Sequence, residues 1–148
     1  MNNEELHFKK EMDELAESFL TYVEKDLSPG TREKFKETKE KDGVIITTFI
    51  ESPDLNSYPV AMIFSYITGL VYFYISTQKP EGISELELYK VVNNLNVKYR
   101  VSNTSFFIGK NNTIVAKFMD LVADYSDLIY ILQSLAVFAD NELFWWFS

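Results

Sequence analysis

The sequence predicts an α+β protein, an antiparallel sheet packed with helices in the order α-β-β-β-α-β-β-α, built as one domain over residues 1–148. Three observations carry this reading. A charged N-terminal stretch repeats its apolar residues at helical spacing. The middle of the chain, from Val44 to Thr77, is dense in β-branched and aromatic residues. The strands follow one another through connections too short for parallel crossovers, which implies antiparallel pairing with helices segregated from the sheet.

The first helix runs from Glu4 to about Asp26, where Phe8, Met12, Leu15, Phe19 and Val23 form a narrow stripe and Glu11, Glu14, Glu17 and Lys25 fall elsewhere. Ser28-Pro29-Gly30 ends it, because Pro29 disfavours helical geometry at Ser28 and Gly30 permits a turn. The next stretch, TREKFKETKEKDG, sets five basic and four acidic residues around Phe35. It reads as a solvated connector with room for an edge strand.

After the turn signal Asp42-Gly43, VIITTFIE is a strand with Val44, Ile46 and Ile50 on one side and Ile45 and Phe49 on the other. Both faces are apolar. SPDLNSYP is a loop, and VAMIFSYITGLVYFYIST reads as two strands joined around Thr68-Gly69, again aromatic on both faces. Ser84-Glu-Leu-Glu87 is a capping box, opening a second helix over about Glu85–Leu95 with Leu88, Val91, Val92 and Leu95 inward. A hairpin follows, its turn supplied by Gly109 to Asn112, where Gly and Asn tolerate positive φ. The third helix spans Asp127 to about Phe147, with Leu128, Ile131, Leu132, Leu135 and Phe138 as a broad stripe.

That helix closes on Phe144, Trp145, Trp146 and Phe147. Four aromatics carry about 600–1,000 Å² of surface at roughly 150–250 Å² each, more than a monomer ordinarily leaves in water. Steps of 100° spread them around a helix, and an extended chain divides them between two sides. The run therefore needs two coverings, one of them a packed loop, a second copy or a foreign polypeptide. These four residues are the candidate partner-binding site, and a homodimer or a partner groove is the interaction they suggest.

Composition removes several function classes. Fourteen basic and twenty-two acidic residues give a net charge of −8, a field that repels nucleic acid and anionic membrane surfaces. Zero cysteines exclude a disulfide framework, a thiolate nucleophile and a zinc–sulfur site. No secretory signal pattern opens the sequence and no apolar stretch reaches the roughly 20 residues that span a bilayer, so a cytoplasmic location is expected.

The segment VVNNLNVKYRVSNTSFFIGKNNTIVAKF resembles the signature region of the YbjN family, in which the second helix ends in an Asn-x-Leu-Asn cluster and a β-hairpin with an aromatic or aliphatic first strand follows. Here the cluster is Asn93, Asn94, Leu95 and Asn96. The family is assigned to the type III secretion chaperone-like fold, whose order of elements this chain also resembles. The resemblance implies a non-enzymatic acidic protein, often dimeric, that acts by holding another polypeptide. The charged connector and the aromatic run depart from the family pattern. An immunity or antitoxin protein that occludes a basic toxin is the alternative from another class.

Candidate chemistry is sparse. His7, the single histidine, lies beside Glu4 and Glu11, but no second nitrogen or sulfur ligand completes a transition-metal site, and an exposed helical residue explains it better. Asp120, Asp124 and Asp127 miss the calcium-loop spacing and suit the start of the third helix through its dipole and capping. No G-x-S-x-G, G-x-x-x-x-G-K or G-x-G-x-x-G motif is present. No catalytic residue, cofactor or metal is expected. The Asn cluster reads as a left-handed C-cap with bonds to nearby carbonyls, or as a polar contact to a partner strand.

Overall fold

The computed structural model describes residues 6–26, 32–77 and 82–144. Within them lie helices α1 (Lys9–Asp26), α2 (Glu85–Lys98) and α3 (Tyr125–Phe138). The strands are β1 (Lys36–Glu40), β2 (Gly43–Glu51), β3 (Ser57–Ser65), β4 (Val71–Thr77), β5 (Thr104–Ile108) and β6 (Ile114–Asp120). They form one antiparallel sheet in the order β1-β2-β3-β4-β6-β5. The α+β architecture is the expected one, with a strand added: the charged connector forms β1, and the order becomes α-β-β-β-β-α-β-β-α.

β1 escapes a hydrophobicity reading because all five of its residues are exposed. Pairing puts it in place, from Lys36 opposite Thr47 to Glu40 opposite Gly43 across the Lys41-Asp42 turn. β3 and β4 are joined around Gly69, whose φ of +71° is in the left-handed region. A Cβ there would lie 2.6 Å from the Phe8 ring, so glycine is needed twice over, for backbone and for space. Pro59 is tolerated within β3 because the β3–β4 ladder begins one residue later, at Val60. In the β5–β6 turn Asn112 takes the positive φ, at 60°, while Gly109 stays extended.

Alternation divides the sheet into two faces. Val44, Ile46, Val60, Met62, Phe64, Val71, Phe73 and Ile75 are buried on one of them. On this face α1 contributes Met12, Leu15, Phe19 and Val23, the stripe expected from the sequence, with Leu88, Leu95, Leu128 and Leu143 beside them. A fully buried side chain of this size contributes about 1.5–3 kcal/mol gross, which is why the helices pack here. α1 is also pinned by polar contacts: the Tyr66 hydroxyl donates to Asp13, and Lys9 reaches the same carboxylate at 2.8 Å.

Three helix boundaries depart from expectation. α1 starts at Lys9, after a turn that holds Leu6, His7 and Phe8. α2 opens as expected on Ser84, whose hydroxyl accepts from the Glu87 N–H at 3.2 Å, but runs on to Lys98. Its C-cap is Tyr99 at φ −105°, so the Asn cluster lies inside the helix and supplies no left-handed cap. α3 stops at Phe138 and widens into a π turn, Ala139–Phe144, where Asp140 and Leu143 are both buried.

Candidate functional site

The opposite face of the sheet carries no described helix. By the register, β2 presents Ile45, Thr47 and Phe49 there, β3 Pro59, Ala61 and Ile63, β4 Tyr72, Tyr74 and Ser76, β6 Val115, Lys117 and Met119, and β5 Ser105 and Phe107. These residues are exposed or half-buried, with Phe49 at 63%, Phe107 at 41% and Met119 at 37% exposure. An apolar strand pattern on both sides normally means a sheet buried on both sides. Here one side is open.

Its relief is definite. Phe107 meets Tyr74 edge to face at 6.4 Å between centroids, and the Lys117 ammonium lies 5.2 Å from the Tyr72 ring and 5.8 Å from that of Tyr74. These side chains make a ridge. On one side of Tyr74 runs a furrow of about 420 Å³, floored by the small residues Thr47, Ala61 and Ser76 and walled by Phe49 and Tyr74. On the other is a furrow of about 380 Å³ lined by Ile45, Ile63 and Tyr72, with Glu40 and Asp42 at its end. A recess of about 450 Å³ also lies on the helix layer, between α1 and Tyr125. Glu14, Glu17, Lys25 and Asp26 make that one a solvated, charged surface.

Both edges of the sheet are guarded. β1 carries two lysines and two glutamates along its exposed length, which disfavours pairing with another strand. On β5, Asn96 of α2 blocks the edge at Phe106: the side-chain Nδ2 donates to the Phe106 carbonyl at 2.9 Å, and Oδ1 accepts from the Phe106 N–H at 2.8 Å. The amide thus takes both backbone bonds that an added strand would make at that residue. Sequence reasoning singled out the cluster without finding this partner, which lies in the protein's own sheet.

A buried carboxylate fixes the π turn that follows α3. Asp140, 9% exposed in the π turn, accepts from the Tyr58 hydroxyl at 2.7 Å, from Asn56 Nδ2 at 3.0 Å and from the Asp54 N–H at 3.4 Å. Burial pushes this carboxyl upward, but hydrogen bonds from Asn56, Ser52 and Tyr58 outweigh it and hold the pKa below the usual carboxylate range. Burial, aided by Asp140, raises Tyr58 in turn. Nearby, Lys98 pairs with Glu142 at 2.9 Å, and burial together with that carboxylate pushes Tyr99 up to about 12. Nothing in the sequence distinguishes Asp140 from the other acidic residues, because its partners lie more than eighty positions away.

Of the four expected partner-binding residues, Phe144 closes the π turn, so the 100° steps of an α-helix do not extend to it. Trp145, Trp146 and Phe147 lie outside the described residues. His7 is exposed and meets Phe8 edge to face at 4.8 Å. Asp120 accepts from the Leu121 N–H at 2.8 Å. Asp124 occupies the N-cap of α3 without a side-chain cap bond, its carboxylate accepting from the Ser126 hydroxyl at 3.1 Å instead, so the capping expected of it is not made. Among the described residues no group of three or more acidic or histidine side chains could hold a metal, and no helix is long and apolar enough to cross a membrane.

No protein-family model matches the chain, and no curated protein matches it.

Proposed function

We propose that this protein is a non-enzymatic protein-binding module of the YbjN or secretion-chaperone type, and that it holds a polypeptide against the open face of its sheet. The observation that carries the reading is the apolar surface from Phe49 through Tyr74 to Phe107, uncovered by any described element, while strand addition is disfavoured by charge at β1 and by the Asn96 amide at Phe106 of β5. Charge agrees with it. In the strands this face bears Lys36, Lys117, Glu40 and Glu51, which cancel, so the net charge of −8 resides elsewhere. A neutral, aromatic and furrowed face suits polypeptide side chains better than nucleic acid or a charged metabolite. Phe144, Trp145, Trp146 and Phe147 are proposed to extend the binding surface, with no cofactor, no metal and a cytoplasmic setting.

The test uses the absence of cysteine. Thr47→Cys, exposed on the face at the middle of β2, carries an environment-sensitive dye and is titrated with a chemically denatured model polypeptide. A saturable blue shift is expected, abolished by Phe49→Glu. A flat titration, or one that Phe49→Glu leaves unchanged, overturns the reading.

A further inference from the structure

From the relief, charge and size of the open face, and resting on the protein-binding reading above, we infer that its occupant is a second copy of the same chain, packed sheet to sheet about a two-fold axis. A two-fold contact requires a self-complementary surface, since each copy offers the same patch. This face has that form. The protruding Phe49 stands beside a furrow of about 420 Å³ with a floor of Thr47, Ala61 and Ser76, so an aromatic knob of one copy has a matching recess on the other, and symmetry makes the contact twice.

Electrostatics favours this face over the α1 surface. Two copies of charge −8 repel, and α1 alone carries Glu11, Asp13, Glu14, Glu17, Glu24 and Asp26 against three lysines. Sheet-to-sheet packing joins the surfaces whose charges cancel and points the acidic α1 faces away from each other. Size sets the strength. Six strands about 4.8 Å apart and about six residues long at 3.3 Å each offer about 500 Å² per copy, or about 1,000 Å² for the pair, at the lower limit of a specific interface. The dimer is accordingly expected to dissociate on dilution through the micromolar range.

Sedimentation across a dilution series, combined with cross-linking, tests this. In a chain without cysteine, Thr47→Cys on the face and Glu14→Cys on α1 are unique handles for a short bismaleimide. The expected result is a dimer at high concentration that cross-links in the Thr47→Cys variant and not in the Glu14→Cys variant. Phe49→Glu should raise its dissociation constant at least about tenfold; its side chain is largely in water, so the fold survives, as a thermal melt will verify. A chain that stays monomeric at every concentration overturns the inference, as does a dimer indifferent to Phe49→Glu that cross-links in the Glu14→Cys variant. In the monomeric case, a positive dye titration with denatured polypeptide leaves the protein-binding reading standing with a foreign occupant. A negative titration removes both.

Discussion

The side-chain amide of Asn96 makes both a donated and an accepted hydrogen bond with the backbone of Phe106, standing in for the neighbouring strand that β5 lacks. Replacing Asn96 by Ala leaves the half-enclosed Phe106 N–H and carbonyl without partners, which should cost about 2 kcal/mol. It also opens an apolar edge to pairing. Urea unfolding and light scattering should show a lower midpoint and slow, concentration-dependent growth in mass. An Asn96→Ala protein as stable and monodisperse as its parent would mean that the amide guards nothing.

Asp140 ties the π turn to the loop before β3. Asp140→Ala removes the acceptor shared by Tyr58, Asn56, Ser52 and the Asp54 N–H and should cost about 3 kcal/mol, whereas Tyr58→Phe removes one of these donors and should cost about 1 kcal/mol. The comparison is read from urea midpoints at a common slope. Equal losses in the two variants would contradict the assignment of the carboxylate as the hub.

Acid should find the same residue. The pKa of Asp140, like that of Asp13, is lower in the folded chain than its ordinary value of 3.8. Each therefore contributes stability that is fully present above the ordinary value and is lost as pH falls through the lower, folded one. Stability is expected to fall below about pH 4, less steeply in Asp140→Asn than in the parent. Identical acid slopes for the two proteins would remove this contribution.

Gly69 combines two constraints that can be separated. Gly69→Ala should cost about 2 kcal/mol, part from its positive φ and part from the overlap with the Phe8 ring. In a Phe8→Ala background the overlap disappears and only about 1 kcal/mol should remain. A cost that does not change with the background would show that the ring gives way freely.

Much of the fold was legible because burial writes a period into the chain. Met12, Leu15, Phe19 and Val23 on α1, the split of Val44 and Ile46 from Ile45 and Phe49 on β2, and the Ser84 cap all leave local marks. β1 was legible only as room for an edge strand in the charged connector, since a strand with every side chain in water needs only a partner backbone and a turn. The π turn and the role of Asp140 were silent, since the partners of that carboxylate are distant in sequence. Asn96 stood out as one of a cluster, yet only the packing of α2 on β5 reveals what it holds. The apolar character of both sheet faces was visible from the start; which one the helices cover was decided by the side on which α1 and α3 lie.

The claim that the open face is covered by polypeptide in its working state is tested most directly by labelling in the native cell. A maleimide probe reacts with the thiol of Thr47→Cys or of Glu14→Cys, and each rate is divided by that of the same variant purified and highly dilute. Covering predicts that the Thr47→Cys thiol is slowed at least about tenfold while the Glu14→Cys thiol is unchanged, and that adding Phe49→Glu to Thr47→Cys restores its rate. Equal ratios for the two variants would show that the face stands open to water in the cell, and the account would fail.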